Sequence, residues 1–173
     1  MLNIAALLLA AASAGQSPAL VSSSSWWEKV TVTVSGDGKA QGCTYQSSLG
    51  SAQPSNCEVE EGQATVASSS SGEKAQLTRI TFERRFVPSG TEPDTKLQPG
   101  DTLLGGSLMA LAIAEDGAVA NCQVVAKSGD VTPTYGCDEA QAERFEASAG
   151  RTVDEPRGGY MMVLVYGHEE NVA

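Results

Sequence analysis

Residues 103–127 read LLGGSLMALAIAEDGAVANCQVVAK, and this stretch decides the fold class. Leu103 to Ala114 is apolar and extended, and Val119 to Lys127 has the composition of a returning strand. Between them lies Asp116-Gly117, a pair that tolerates the positive φ that tight hairpin turns require. The stretch therefore predicts a β-hairpin.

Other segments of the chain carry strand and helix patterns. The predicted strands are Val30–Val34 and Lys39–Gln46, joined by a turn at Gly36-Asp37-Gly38, then Leu77–Val87 and the apolar Tyr160–Tyr166. Helices are predicted at Glu58–Ala67 and Asp138–Ala149, where acidic residues in the first turn favour the helix dipole. These elements predict an α+β fold in which an antiparallel sheet carries a helix on one face.

The order of elements repeats along the chain. A shift of 79 positions places Asp37 on Asp116, Gly38 on Gly117, Cys43 on Cys122 and Gly50 on Gly129. We interpret this as two β-turn-β-helix-β units, although two unrelated hairpins would also give such a match. The predicted units span residues 26–87 and 101–167, and a Pro-containing linker, 88–100, joins them. They are predicted to form one pseudo-symmetric body that buries Met161–Tyr166.

The N-terminus has the features of a signal peptide over residues 1–14. An apolar run, Ile4 to Ala12, precedes the small-x-small site Ala12-Ser13-Ala14, although no Lys or Arg precedes the run. The alternative is a buried core helix. A Ser-rich leader, 15–25, follows, and residues 168–173 form a charged tail. This pattern predicts a periplasmic or secreted protein.

Four cysteines fall in two pairs of short spacing. Three disulfide connectivities are possible, and the spacing favours Cys43–Cys57 with Cys122–Cys137. A zinc site would need shorter Cys spacings or a neighbouring His, and neither occurs. The formal net charge of −10 argues against nucleic acid as a partner, because phosphate binding requires clustered Lys and Arg.

The second unit resembles a known family. The motif that carries the resemblance is Ile113-Ala114-Glu115-Asp116-Gly117-Ala118-Val119-Ala120-Asn121-Cys122-Gln123-Val124-Val125, followed by Ser128-Gly129. It is similar to a motif of the TonB C-terminal domain family, and the resemblance covers residues 103–167. Cys137 and Ala142 to Ala147 resemble the helix of its cysteine-bearing members. The resemblance implies a ββαβ fold, duplicated in tandem, and a location in the cell envelope.

The chain departs from that family in several respects. From the predicted cleaved signal peptide we expect neither an uncleaved N-terminal anchor nor a long Pro-rich spacer, and Glu146 stands where the helix motif has proline. The resemblance therefore implies envelope location more strongly than energy transduction.

The sequence contains no recognisable catalytic motif. His168 lies among acidic tail residues, which favours a solvated terminus over a general base. Ser107 has no nucleophile-elbow motif around it, and Asp101-Thr102 is not followed by the glycine of an aspartic-protease site. The segment Gly36 to Lys39 lacks the frame of a phosphate loop. We predict no catalytic residue, no cofactor and no metal site.

Two remaining pairs of residues have plain structural interpretations. Arg84 and Arg85 are neighbours on a strand, so their side chains point to opposite faces, and solvation is the simpler explanation for both. Trp26 and Trp27 could mark an interface, but aromatic residues are common in strands, and the sequence favours positions in the core and at its rim.

The sequence favours a non-catalytic protein-interaction domain. An open sheet edge would accept an extended segment of an envelope protein through backbone hydrogen bonds. The candidate edge strand is the last one, with Tyr160, Met162, Leu164 and Tyr166 on one face. The alternatives are a structural envelope protein whose units pack only on each other, and a small secreted hydrolase or inhibitor. The partner's identity stays open, no small-molecule substrate is evident, and a monomer is expected.

Overall fold

The computed structural model describes residues 20–35, 39–50, 53–57, 75–146 and 157–171. Within these ranges the chain forms nine strands and one helix. They are β1 Leu20–Val21, β2 Trp26–Val34, β3 Ala40–Ser47, β4 Ser55–Cys57, β5 Ala75–Pro88, β6 Asp101–Ile113, β7 Val119–Gly129, α1 Cys137–Ala142, β8 Arg144–Phe145 and β9 Arg157–Asn171.

Seven strands form one sheet in the order β4-β3-β2-β5-β9-β6-β7, and every neighbouring pair is antiparallel. β1 and β8 pair separately and in parallel. The predicted α+β class with tandem ββαβ units is therefore wrong. One continuous sheet spans both halves of the chain, and the helical content of the described residues is a single segment of six residues.

The helix predicted at Asp138–Ala149 is shorter because tertiary contacts end it. Glu143 has an extended backbone, and its carboxylate pairs with Arg84 on the sheet. Two residues later Phe145 is fully buried as part of β8. A continued helix would lose both contacts, so packing overrides the local propensity.

Several predicted features lie outside the described residues. They are the signal peptide at 1–14, the turn at Gly36-Asp37-Gly38 and the helix at Glu58–Ala67. The predicted leader, 15–25, is described from residue 20 onward. There Leu20 and Val21 form β1, and Val21 is buried, so this part of the leader is tied to the fold.

Equivalent residues are paired in the two halves of the sheet. In the first hairpin Val32 is paired with Cys43, and in the second Leu111 is paired with Cys122. Both members of the second pair lie 79 positions beyond those of the first. The strand order is also equivalent: in the first half β2 lies between β3 and β5, and in the second half β6 lies between β7 and β9.

The halves meet at the pairing of β5 with β9, which we call the seam. At its middle Arg84 is paired with Val163, two residues that also differ by 79 positions. The pairs on either side are Phe82 with Val165 and Phe86 with Met161. The shift of 79 positions relates Phe82 to Met161 and Phe86 to Val165, so it converts each of these two pairs into the other. The sheet therefore has an approximate two-fold axis through the Arg84–Val163 pair.

The front face of the sheet carries the main core. One cluster centres on Trp26, Phe86, Met109 and Met161, and is covered by Phe145 of β8 together with α1 and β1. A second cluster contains Val30, Val32, Ile80 and Val165. The Phe86 ring lies between two other aromatic side chains of the first cluster, with its centroid 6.1 Å from that of Trp26 and 4.7 Å from that of Phe145. The expectation of core and rim positions for the two tryptophans is confirmed, because Trp26 is buried and Trp27 is half-buried.

The opposite, back face is also covered near the seam. Met162, Leu164 and Tyr166 are buried there. Arg85 donates from this face to the carbonyl oxygens of Asp94 (2.6 Å) and Lys96 (3.4 Å). The segment predicted as a linker, 88–100, therefore begins within β5 at Pro88, and its part around Asp94–Lys96 lies against the back face of the sheet.

Both predicted disulfides are confirmed. Cys43 and Cys57 join β3 to β4, with their Cα atoms 5.1 Å apart. Cys122 and Cys137 join β7 to the start of α1, with a Cα separation of 5.5 Å. Such bonds persist in oxidising compartments, which is consistent with a non-cytoplasmic or secreted protein. In the described ranges no helix has the length and apolarity needed to cross a bilayer.

Candidate interaction edge

The predicted edge strand is not an edge. β9, which carries Tyr160, Met162, Leu164 and Tyr166, lies between β5 and β6 and pairs with both along its length. Its residues 161–166 are at most 9% exposed, because they are apolar on both faces and the centre of the sheet offers cover on both. The predicted burial of Met161–Tyr166 is confirmed, but its use as a binding edge is wrong.

The open edge is formed by β7 instead. This strand has 11 residues and pairs only with β6 among the described strands. All of its residues except Val119 and Cys122 are exposed. Val124 and Val125 are 39% and 49% exposed, which places two adjacent apolar side chains on the open strand. An edge of this length is a template for pairing with another chain.

Local geometry limits where a further strand can pair. The β6–β7 register slips twice, which leaves Ala120 and Val125 as extra residues on β7. Such bulges are common at sheet edges and hinder unwanted pairing. Before β7 begins, Ala118 bridges to Arg144, and Phe145 donates its N–H to the carbonyl of Gly117 at 2.8 Å. The accessible edge therefore runs over residues 120–129.

The other end of the sheet is protected differently. β4 has three residues and pairs with Cys43, Thr44 and Tyr45 of β3. The Cys43–Cys57 disulfide fixes that pairing. A strand this short offers little backbone to a partner, so among the described residues β7 is the longer edge.

A buried ion cluster occupies the front face at the two-fold axis. Arg84 Nε donates to Glu28 Oε1 at 2.6 Å, and Arg84 Nη1 donates to Glu143 Oε1 at 2.5 Å. The guanidinium lies between the rings of Trp26 and Tyr135, 5.4 and 4.6 Å from their centroids. Burial alone would lower the pKa of Arg84, but Glu28 and the other acidic neighbours outweigh it and raise the pKa above its ordinary value.

Tyrosine hydroxyls complete this cluster. Tyr45 donates to Glu28 Oε2 and Tyr135 donates to Glu143 Oε1, both at 2.9 Å. Burial raises the pKa of each tyrosine, and the adjacent carboxylates raise it further. Each charge in the cluster thus has a partner within the chain, which indicates a structural role for the cluster.

The back face holds a second polar cluster. Glu83 is 7% exposed and accepts from Tyr166 Oη at 2.7 Å and from Arg85 Nε at 2.7 Å. Burial, followed by the bond to Glu83, raises the pKa of Tyr166. The predicted solvation of Arg84 and Arg85 is wrong, because each arginine is ion-paired on its own face of the sheet. Their placement on opposite faces is confirmed.

His168 is part of the sheet. It belongs to β9, and its Nδ1 lies 2.8 Å from Asp101 Oδ1, whose side chain is 9% exposed. The interpretation of His168 as a solvated terminal residue is therefore wrong. Ser107 is a residue of β6, as predicted. The pair of His168 and Asp101 has no nucleophile among its hydrogen-bond partners in the described part of the chain.

Sequence reasoning missed the ion cluster and the β7 edge for different reasons. Arg84 shares the inward face with Ile80, Phe82 and Phe86, so the alternation itself signals that this arginine points into the core. The exposure of Val124 and Val125 has no such signal, because adjacent valines have the composition of a buried strand.

Comparisons with known proteins assign the chain to no family. No family model, curated protein or solved structure matches the chain. Membership of the TonB C-terminal domain family stays a prediction resting on the motif from Ile113 to Val125. Across the residues that the structure describes, no group of three or more His, Cys, Asp or Glu side chains is placed to hold a metal ion.

Proposed function

We propose that this chain is a non-catalytic protein-interaction domain of the bacterial periplasm or another oxidising compartment. It binds an extended segment of an envelope protein as an added strand on β7. The observation that carries the proposal is the 11-residue open edge, with Val124 and Val125 exposed on it. In this mode backbone hydrogen bonds supply affinity, and alternate side chains supply specificity.

The centre of the sheet supports this proposal, because its backbone and its charged side chains already have partners within the chain. The central strands are paired on both sides, and the charged clusters around Arg84 and Glu83 are satisfied internally. The Cys122–Cys137 bond fixes β7 to α1, so the edge is held in place before a partner arrives. A preorganised edge lowers the entropic cost of binding.

A pair of proline variants tests the proposal. The pairing of β7 with β6 is regular at Lys127 and Ser128, so one of these N–H groups faces β6 and the other faces outward. Lys127→Pro and Ser128→Pro each remove one N–H. Peptides selected from a display library for binding to the wild type are then measured against both variants, alongside the variants' stability.

We expect one variant to lose stability and the other to stay folded but bind at least about tenfold less tightly, as expected for about 1.4 kcal/mol of lost backbone bonding. Equal binding by the wild type and the folded variant would contradict strand addition on β7. A library that gives no binder would also contradict the proposal.

A structural envelope protein is the second candidate. It is favoured by the bulges at Ala120 and Val125 and by the contact between Ala118 and Arg144, since these features protect an edge from pairing. Under this alternative the sheet is complete by itself, and the peptide selection yields nothing that depends on β7.

Export is proposed together with this function. The motif Ala12-Ser13-Ala14 predicts cleavage before Gly15. N-terminal sequencing of the protein recovered from its native compartment should begin at or near Gly15. A chain that retains Met1 would contradict this part of the proposal.

A further inference from the structure

The surroundings of the β7 edge are strongly acidic. Residues 114–146 contain seven acids and two bases, so half of the chain's formal net charge of −10 lies in this segment. Glu143 is paired with Arg84. The other six acids are exposed, and they are Glu115, Asp116, Asp130, Asp138, Glu139 and Glu146.

These acids are distributed around the accessible edge, 120–129. Glu115 and Asp116 lie in the turn that precedes β7, and Asp130 follows the strand directly. Asp138 and Glu139 are in the first turn of α1, which the disulfide from Cys122 ties to the strand. Acidic side chains thus border the edge at both ends and beside Cys122, whereas the strand itself carries one charge, Lys127.

We infer that the partner of β7 is a basic extended segment of about ten residues, with small apolar side chains at its centre. This inference rests on the proposed strand addition. Length follows from the accessible edge, 120–129, because an added strand runs beside it with a similar rise per residue. The apolar centre follows from the exposed Val124 and Val125. The basic character follows from charge complementarity, which also disfavours a second copy of this acidic chain.

The test uses three synthetic peptides of ten residues. Each has an alternating valine and threonine core, and the flanking positions are lysine in the first, glutamine in the second and glutamate in the third. Binding to the full chain is measured by calorimetry at low salt and at about 0.5 M salt, where the Debye length falls to roughly 4 Å.

We expect the lysine peptide to bind at least about tenfold more tightly than the glutamate peptide at low salt, with the glutamine peptide between them. High salt should remove most of that difference. The double variant Asp138→Asn/Glu139→Gln should also reduce it, because the variant removes two charges beside the strand. The amide introduced at position 139 keeps an oxygen able to accept from the Gly136 N–H, as Glu139 Oε2 does at 2.8 Å.

The matched control is Glu92→Gln/Glu169→Gln, which removes the same number of exposed charges outside 114–146 and should leave the lysine preference unchanged. Equal binding of all three peptides, or a preference for glutamate, would overturn this inference while leaving strand addition intact. Absence of binding by every peptide would count against strand addition itself, and the inference would fall with it.

Discussion

Replacement of Arg84 by methionine tests whether the ion cluster at the two-fold axis stabilises the fold. Methionine fills the space of the aliphatic stem but removes the charged guanidinium, which lies over the rings of Trp26 and Tyr135. Glu28 and Glu143 then remain in the protein with no guanidinium between them. An uncompensated buried charge is the costly consequence of breaking such a pair.

The exposure of the side chains sets the magnitude. Arg84, Glu28 and Glu143 are 15%, 10% and 18% exposed, so water reaches each of them slightly. Removing one partner of a fully buried pair costs about 3–5 kcal/mol, and this residual exposure places the variant at the lower end, about 3 kcal/mol. The equilibrium constant for folding should therefore fall by roughly two orders of magnitude.

Equilibrium unfolding in urea, with the disulfides intact and tryptophan fluorescence as the signal, measures this loss. The control is the triple variant Glu28→Gln/Arg84→Met/Glu143→Gln, which removes all three charges and should recover most of the stability. A loss below about 1 kcal/mol for Arg84→Met would refute the reasoning. So would a triple variant that is no more stable than the single one.

Three further predictions concern stability. Cys122→Ala should lower the free energy of unfolding by about 3 kcal/mol, as loop entropy predicts for a bridge across 15 residues, and a change under about 1 kcal/mol in denaturant titration would contradict this. Gly117→Ala should cost more than about 1 kcal/mol, since Gly117 has φ 85 and an added Cβ would meet the carbonyl oxygen of Phe145; the control Gly42→Ala, with open space around it, should cost less. Stability should fall as pH rises through about 10, because the fold raises the pKa of Tyr135 and Tyr166 and so keeps their protons while the unfolded chain releases them. Thermal melts that stay level between about pH 9 and 11 would count against that last expectation.

Local features of the fold could be predicted from the sequence. The Asp116-Gly117 turn is confirmed, with Gly117 at positive φ and Asp116 Oδ1 accepting from the N–H of Ala118 at 2.9 Å. The disulfides are confirmed because each joins cysteines that are close in sequence. Features of this kind depend on residues at most 15 positions apart, and over that range sequence patterns are specific.

The position of each strand in the sheet could not be predicted in the same way. Tyr160–Tyr166 is apolar on both faces, which indicates burial but does not identify its neighbours. The pairing of β5 with β9 joins residues about 80 positions apart, such as Arg84 and Val163. No local pattern encodes that contact, so the sequence alone predicts an edge at a strand that is central in the fold.

The seam between β5 and β9 has a consequence for how two molecules of this protein can interact. Each disulfide lies within one half of the sheet, so neither disulfide crosses the seam, and only the backbone of residues 89–100 joins the halves covalently. The same strand pairs form whether β9 comes from the same chain or from a neighbouring one. Two chains can therefore exchange their C-terminal halves as a domain swap, with residues 89–100 as the hinge. High protein concentration during refolding favours this exchange, and the acidic charge of each chain opposes it.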